Sequence, residues 1–353
     1  MRSTNTLPSL DYLENSRQYY GEIISQSTDL QTTACCPSGS LPSWLRPIYA
    51  KLPPEIIERS YGCGSPLPLK LDGCTVLDLG CGTGRDLYAA AHLVGPSGRL
   101  IGIDFTEEQI EVARKYRRKV AEEAGLEEDK IQLVQGNLEN LAEAGVPDGS
   151  IQVAISNCVL NLCRDKKAAL KAIFAALEEG GELYFSDVFA SRRLCPEITN
   201  HPVLHGECLG GAWYWEDFRR LLLEVGCPDF RIMERGPIQI HNRDLASLLE
   251  GTSFEAATLR CFKLGSLEDR CEDYGQVATY LGCIPAAERI FHLDHSHTFE
   301  IGRPTAVCGN TASLLSETRF APHFKINGDR STHYGLFQTI KPSTQSQKTI
   351  GCC

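Results

Sequence analysis

CTVLDLGCGTGRDLYAAAHLVGPSGRLIGIDF, residues 74–105, runs from an apolar stretch through a glycine-rich turn and an amphipathic helix into a second apolar stretch. That succession is a βαβ unit: unbroken apolar runs make buried strands, and apolar residues at helical spacing make a helix packed across them. The alternation continues downstream. EEQIEVARKYRRKVAEEAG gives a second helix ending at Gly125, KIQLVQGNL and IQVAISNC give further strands, KKAALKAIFAALEEGG gives a helix stopped by two glycines, and ELYFSDVF another strand. Such alternation predicts an α/β fold, a doubly wound parallel sheet with helices on both faces.

The rest of the chain divides around this unit. Residues 1–70 form an N-terminal lead-in, with a helical pattern in DYLENSRQYYGEII and loop and turns in CCPSGSLPSWLRPIYAKLPPEI. Residues 71–240 make the main domain, closing with a helix in WEDFRRLLLEVG and a strand in FRIMERGPIQI, and carrying an insertion at about 190–215. Residues 241–340 have irregular periodicity, with strands expected in TYLG, RIFHLDHSHTFEIG and HFKING of a smaller α+β domain, and 341–353 are a polar, flexible tail with a cysteine pair.

Composition narrows the function classes. The chain has 353 residues, 42% hydrophobic, with a formal net charge of −10 and no clustered basic stretch, which argues against nucleic acid as a partner. No apolar run approaches the ~20 residues a bilayer span needs, and MRSTNTLPSLDYLENS lacks the apolar core of a secretory signal. A cytoplasmic protein with no membrane partner is the expectation. Its 16 cysteines should then stay mostly reduced, and there is no Cys-x-x-Cys pair, so thiolate chemistry is expected before a disulfide scaffold or structural zinc. Most cysteines, among them Cys261, Cys271, Cys283 and Cys308, read as small buried hydrophobes.

The first βα turn carries chemistry of its own. A dinucleotide fingerprint would read G-x-G-x-x-G; here Gly80, Gly82 and Gly84 make G-x-G-x-G, with Asp78 before them at the strand end. A carboxylate there repels a pyrophosphate and suits a cationic amine, as S-adenosylmethionine carries. Asp104, 20 positions after Gly84 at the next strand end, is placed to bind both ribose hydroxyls. Phe105 beside it, Asn137 and Leu138 after the third strand where an adenine edge would be read, and Asn157 at the end of the fourth complete the candidate cofactor residues. The pattern is that of a class I methyltransferase.

Four further stretches, STDLQTTACC, YGCGSP, SNCVLNLCRDK and GECLGGAWYW, with GGELYFSDVF between the last two, resemble the arsenite S-adenosylmethionine methyltransferase family over residues ~20–240, more weakly beyond. The resemblance implies transfer of methyl groups to trivalent arsenic held by Cys63, Cys158 and Cys208. It implies that Cys35 forms a disulfide with a site cysteine afterwards, and that thioredoxin or glutathione resets the enzyme. Arsenite, methylarsenite or their glutathione conjugates would be the acceptors, and the enzyme a monomer. Placement agrees with this much: Cys158 follows the fourth strand, on the rim where ligands of such sheets bind, and Cys63 and Cys208 lie in glycine-flanked connections. Tyr20, Tyr61, Trp213 and Tyr214 are candidates for cation–π contact with a sulfonium. Cys36 and the Cys352–Cys353 pair have no assigned role. A methyltransferase for a small organic acceptor such as a quinone or phenol, and a non-catalytic arsenic-sequestering protein, remain as alternatives.

Overall fold

A computed structural model of the chain describes residues 41–338 apart from 61 and 63. Cys35, Cys36, Cys63, Cys352, Cys353, Tyr20 and Tyr61 thus lie outside the described residues, as does the DYLENSRQYYGEII pattern.

The 74–105 stretch folds as expected. Thr75–Leu79 is β1, Arg85–Val94 is α1 and Arg99–Asp104 is β2, followed by α2 (Glu107–Ala124), which Gly125 caps with φ 70° by donating its N–H to Ala121 and Glu122. Ile131–Gln135 is β3, Ile151–Asn157 is β4, Lys166–Ala176 is α3 and Leu177–Ala190 is β5. Trp213–Tyr214 is β6, Trp215–Glu224 is α4, Phe230–Pro237 is β7 and Phe254–Phe262 is β8. The sheet runs β3-β2-β1-β4-β5-β8-β7, with β6 on β5. Pairing is parallel from β3 to β5, while β8 runs antiparallel to both neighbours. The order reverses direction at β1, between β2 and β4, and so opens a crevice at the carboxyl ends of β1 and β4. Buried aliphatic side chains such as Leu77, Leu79, Ile155 and Phe185 fill the space between sheet and helices.

Three expectations change. The two glycines of LEEGGELYF do not end a helix: α3 stops at Ala176, and Gly180, with φ 81°, and Gly181 lie inside β5, where the register with β4 shifts between Ile151 and Val153. The lead-in read as loop contains two short helices, Arg46–Tyr49 and Pro54–Glu58, each with proline in its first turn, where a missing N–H costs nothing. The main sheet also runs past residue 240. β8 was masked by its arginine, because Arg260 looks like a surface residue until its partner, the fully buried Glu182 on β5, is seen.

Beyond β8 a three-stranded antiparallel sheet orders Pro304–Val307, Gln276–Tyr280 and Phe324–Asn327, and Ile290–His292 pairs with Thr298–Glu300. Tyr280, Phe291, Phe299, Phe320 and Phe324 form its core. Buried ions seat this unit on the main sheet: Arg319 on Glu182, and Asp294 on Arg231 of β7. Cys261 and Cys308 are buried, as expected, and keep reduced thiols, whereas Cys283 is exposed and Cys271 is disulfide-bonded. Among the described residues no helix is long and apolar enough to cross a membrane.

Candidate active site

The glycine loop turns back over the end of β2. Gly80, Gly82 and Gly84 all have positive φ, at 72°, 52° and 92°, a region open to glycine at little cost. Gly80 and Cys81 donate their N–H groups to the Ile103 carbonyl at 2.7 and 3.0 Å. Asp104 then locks the loop: one carboxylate oxygen accepts the Gly82 N–H at 2.9 Å, the other the Thr106 N–H at 2.8 Å. Each oxygen keeps a lone pair for a further donor. A cavity opens against this loop, lined by Asp78, Gly80, Gly82, Asp104, Phe105, Asn157 and Cys158 among others.

Asp78 is 3% exposed and its Oδ2 has no hydrogen-bond partner among the described residues. Burial, and next the Asp86 carboxylate, push its pKa well above the usual carboxylate range. A buried carboxylate left this way is costly on its own and is relieved by a cationic donor. The residues present therefore fit S-adenosylmethionine: an orphaned acid for its ammonium, an anchored acid for its ribose, and side-chain-free backbone between them.

Around the cavity stands a cluster in which Asn157 was expected at the site, but Tyr49, Arg85 and Asp86 were not. Arg85 donates to both oxygens of Asp86, at 3.0 and 2.9 Å; Tyr49 Oη donates to Asp86 at 2.5 Å and Asn157 Nδ2 at 2.9 Å. Burial works to raise the Asp86 pKa, but the Arg85 guanidinium and the hydrogen bonds outweigh it, leaving the carboxyl below its usual range. The signal was present as the Arg-Asp pair directly after the glycine turn. Asn157 also donates to the Gly64 carbonyl at 2.9 Å and accepts the Gly64 N–H at 3.3 Å. Its amide is thus committed to holding the lead-in against β4.

Cys158 and Cys208 meet at the rim. Cys158 follows β4, is 4% exposed, and donates its N–H to the Ser186 carbonyl at 2.8 Å. Cys208, wholly buried, donates from Sγ to the Cys158 carbonyl at 3.3 Å, across 50 residues of sequence. Both are left-handed, at φ 57° and 63°. A side chain bearing Cβ pays about 1–2 kcal/mol for that conformation. Strain of this kind persists where surrounding structure enforces it and gathers at functional sites. Cys158 is disulfide-bonded, whereas Cys208 keeps a reduced thiol. Cys63 lies outside the described residues, but both its neighbours reach this rim: a Cβ on Gly62 would lie 2.5 Å from the Asn157 side chain, and one on Gly64 2.4 Å from Ser186 Oγ. Among the described residues no three His, Cys, Asp or Glu side chains gather closely enough to hold a metal ion.

Comparison with known proteins gives this arrangement a family. A model described as a methyltransferase domain matches residues 70–226, and one described as an arsenite methyltransferase C-terminal domain matches residues 274–353. The arsenite methyltransferase of Aquipseudomonas alcaligenes is 48% identical over 325 residues, 92% of this chain and 93% of that one. The human arsenite methyltransferase is 39% identical over 87% of this chain and 82% of its own. The crystal structure of an arsenic(III) S-adenosylmethionine methyltransferase from Chlamydomonas reinhardtii superimposes with a TM-score of 0.82 at 44% identity, covering 85% of this chain and all of that one.

The chain belongs to the arsenite methyltransferase family.

It is an S-adenosylmethionine-dependent methyltransferase by fold and family. Within this arsenite methyltransferase, two groups of expected residues stand apart from the cavity. Asn137 is exposed and accepts the Glu139 N–H at 2.9 Å, while Leu138 is buried in the core; neither lines the cavity. Trp213 packs edge-on against Phe218 at 5.3 Å and Tyr214 lies under Arg193 at 5.7 Å, so both rings are engaged within the protein.

The loop geometry makes one prediction. A Cβ on Gly80 would lie 2.5 Å from both methyls of Val159, at a φ of 72°. Gly80→Ala should weaken cofactor binding by tenfold or more, since the left-handed penalty alone, about 1–2 kcal/mol, is of that order. Calorimetric titration with S-adenosylmethionine checks it; an affinity within twofold of the parent contradicts it.

Proposed function

We propose that this enzyme transfers methyl groups from S-adenosylmethionine to trivalent arsenic held by the thiolates of Cys63, Cys158 and Cys208. The single observation that carries the reading is the pair of left-handed, buried cysteines joined by the Cys208 thiol to the Cys158 carbonyl, one of them lining the cofactor cavity. Arsenic(III) is a soft centre that prefers sulfur to oxygen or imidazole. Bound to three sulfurs it is pyramidal and keeps a lone pair. When bound, S-adenosylmethionine would supply an electrophilic methyl carbon, its bond to a positively charged sulfur breaking as the arsenic lone pair bonds to that carbon and the sulfur leaving as a neutral thioether. The protein's part is alignment: Asp78 takes the ammonium, Asp104 the ribose, Gly80 and Gly82 let backbone approach, Phe105 lines the adjoining wall, and the thiolates aim the acceptor. Holding two reactants in near-attack geometry supplies ~7–11 kcal/mol of a barrier. The nucleophile carries no proton to be removed, so no general base is needed.

Giving its lone pair to the methyl carbon takes arsenic from the trivalent to the pentavalent state, and two site thiols then return two electrons to it, closing a disulfide as arsenic becomes trivalent again. A disulfide at Cys158 fits such a cycle, in which the thiols must be reset before arsenic binds again. Cys35 is the proposed partner thiol, and thioredoxin or glutathione the reductant, acting by thiol–disulfide exchange. Arsenite, methylarsenite or their glutathione conjugates are the proposed acceptors, of a monomeric, cytoplasmic enzyme.

The test is a time course with labelled S-adenosylmethionine and thiol reductant, offering arsenite, a phenol or a quinol in separate reactions, with products separated chromatographically. Label should pass into methylated arsenicals only in the presence of arsenite and reductant. Transfer to the organic acceptors alone, or arsenite binding with no labelled product, overturns the proposal.

A further inference from the structure

The loop bearing Cys208 is held in place by a buried polar network that the transfer chemistry does not use. Asn161, 1% exposed, sits one turn after Cys158 in the 3₁₀ segment Leu160–Leu162. Its Nδ2 donates at 3.2 Å to two carbonyls at once, those of Val188 and Cys208. Its backbone N–H donates at 3.0 Å to Asp187 Oδ2, and the same oxygen accepts from Trp213 Nε1 at 3.3 Å. Asp187 Oδ1 takes the Val188 N–H at 2.9 Å. On the outer side Lys166 donates to the Gly211 carbonyl and lies 4.6 Å from the Trp213 ring centroid. The loop also passes Asn161 very closely: a Cβ on Gly211 would lie 2.1 Å from its carbonyl oxygen.

Two details set this network apart from ordinary loop packing. Asn161 Oδ1 is buried with no hydrogen-bond partner among the described residues, a cost a stabilising asparagine would avoid. The carbonyl it grips belongs to a residue in the left-handed conformation, which the backbone leaves unless something holds it. Both costs fall on the segment between the two rim cysteines.

We propose that Asn161, braced by Asp187, is the positioning residue that holds Cys208 in its left-handed conformation and so sets its thiol against Cys158. It touches no reacting atom; it fixes where one arsenic ligand stands. Because this rests on the three-thiolate reading, the test separates the two.

The reduced full-length enzyme is prepared as Asn161→Ala, as Trp213→Phe, which removes the N–H donated to Asp187 and shortens a buried ring that also packs on Phe218 and Lys166, and as Cys208→Ser. Arsenite affinity, the number of sulfurs on bound arsenic by X-ray absorption, and S-adenosylmethionine affinity are read for each. Asn161→Ala should bind arsenite at least tenfold more weakly with fewer than three sulfurs, and Trp213→Phe about threefold more weakly, both with cofactor affinity within twofold of the parent. Parent-like arsenite affinity and sulfur count in both variants overturn the proposal, as does a fall in cofactor affinity in step with arsenite affinity, which marks a general structural role. If Asn161→Ala does not fold, Trp213→Phe decides alone by the same criteria. Parent-like arsenite binding by Cys208→Ser instead overturns the three-thiolate reading itself.

Discussion

Cys158→Ser and Cys208→Ser should each lower the rate of arsenite methylation at least a hundredfold while leaving S-adenosylmethionine affinity within twofold of the parent. Loss of a residue that merely supports a ligand costs a metal site about 10–100-fold, so loss of a ligand to soft arsenic costs no less. Serine keeps the size and the backbone of cysteine and offers a hard, protonated oxygen in place of a thiolate. The left-handed φ of 63° at Cys208 adds a second, sharper expectation. In Cys208→Gly, relief of the left-handed penalty, about 1–2 kcal/mol, offsets loss of the fully buried side chain. Its stability, read by urea unfolding under reducing conditions, should lie within about 1 kcal/mol of the parent, with activity gone. A cysteine there for packing alone would show the reverse, a destabilised glycine variant that still turns over. Parent-like rates in either serine variant refute the ligand assignment.

The parts of this site written at fixed offsets in one stretch of chain were legible beforehand. The glycine turn and Asp104 are such parts, because a βα turn brings neighbours in sequence together in space, and Asp104 does meet Gly82. Cys158 could be placed on the rim because it follows a strand whose direction the alternation fixes. The brace around Cys208 could not, since the Asn161–Cys208 contact spans 47 residues and its geometry depends on how the 190–215 segment folds back. Tyr49, drawn into the Asp86 cluster from a stretch read as loop, escaped for the same reason. Buried charge misled in another way: Arg231 and Arg260 are each about 2% exposed, and a hydrophobicity pattern counts them as surface. Arg231 has one partner, Asp229, two residues away, but Asp294, its second, and Glu182, the partner of Arg260, come into place only once the sheet and the C-terminal unit are assembled.

That last cluster carries the second large expected effect. Glu182, wholly buried on β5, accepts from Arg260 Nε at 2.5 Å and Nη2 at 3.3 Å, and also pairs with Arg319 of the C-terminal unit. Arg319 in turn donates to the Leu69 carbonyl at 3.2 Å, in the segment leading from Gly64 to β1. Glu182→Gln leaves two enclosed guanidinium groups without a counter-charge, and breaking a buried pair from one side costs about 3–5 kcal/mol. Unfolding at pH 7 should shift by that amount in urea, with a melting midpoint lower by roughly 10 °C. Burial acts to raise the Glu182 pKa, but the Arg260 and Arg319 charges outweigh it and hold it below the ordinary glutamate value of 4.5. Its contribution is therefore fully present above that value and is lost as the pH falls below it toward the folded-state pKa. The gap between parent and variant should accordingly be constant from pH 7 down to about 5 and close as the medium becomes more acid. A variant as stable as the parent at neutral pH, or a gap that widens in acid, would contradict the assignment. At low temperature, where both proteins remain folded, methyl transfer by Glu182→Gln should match the parent, because neither Glu182 nor its partners line the cofactor cavity.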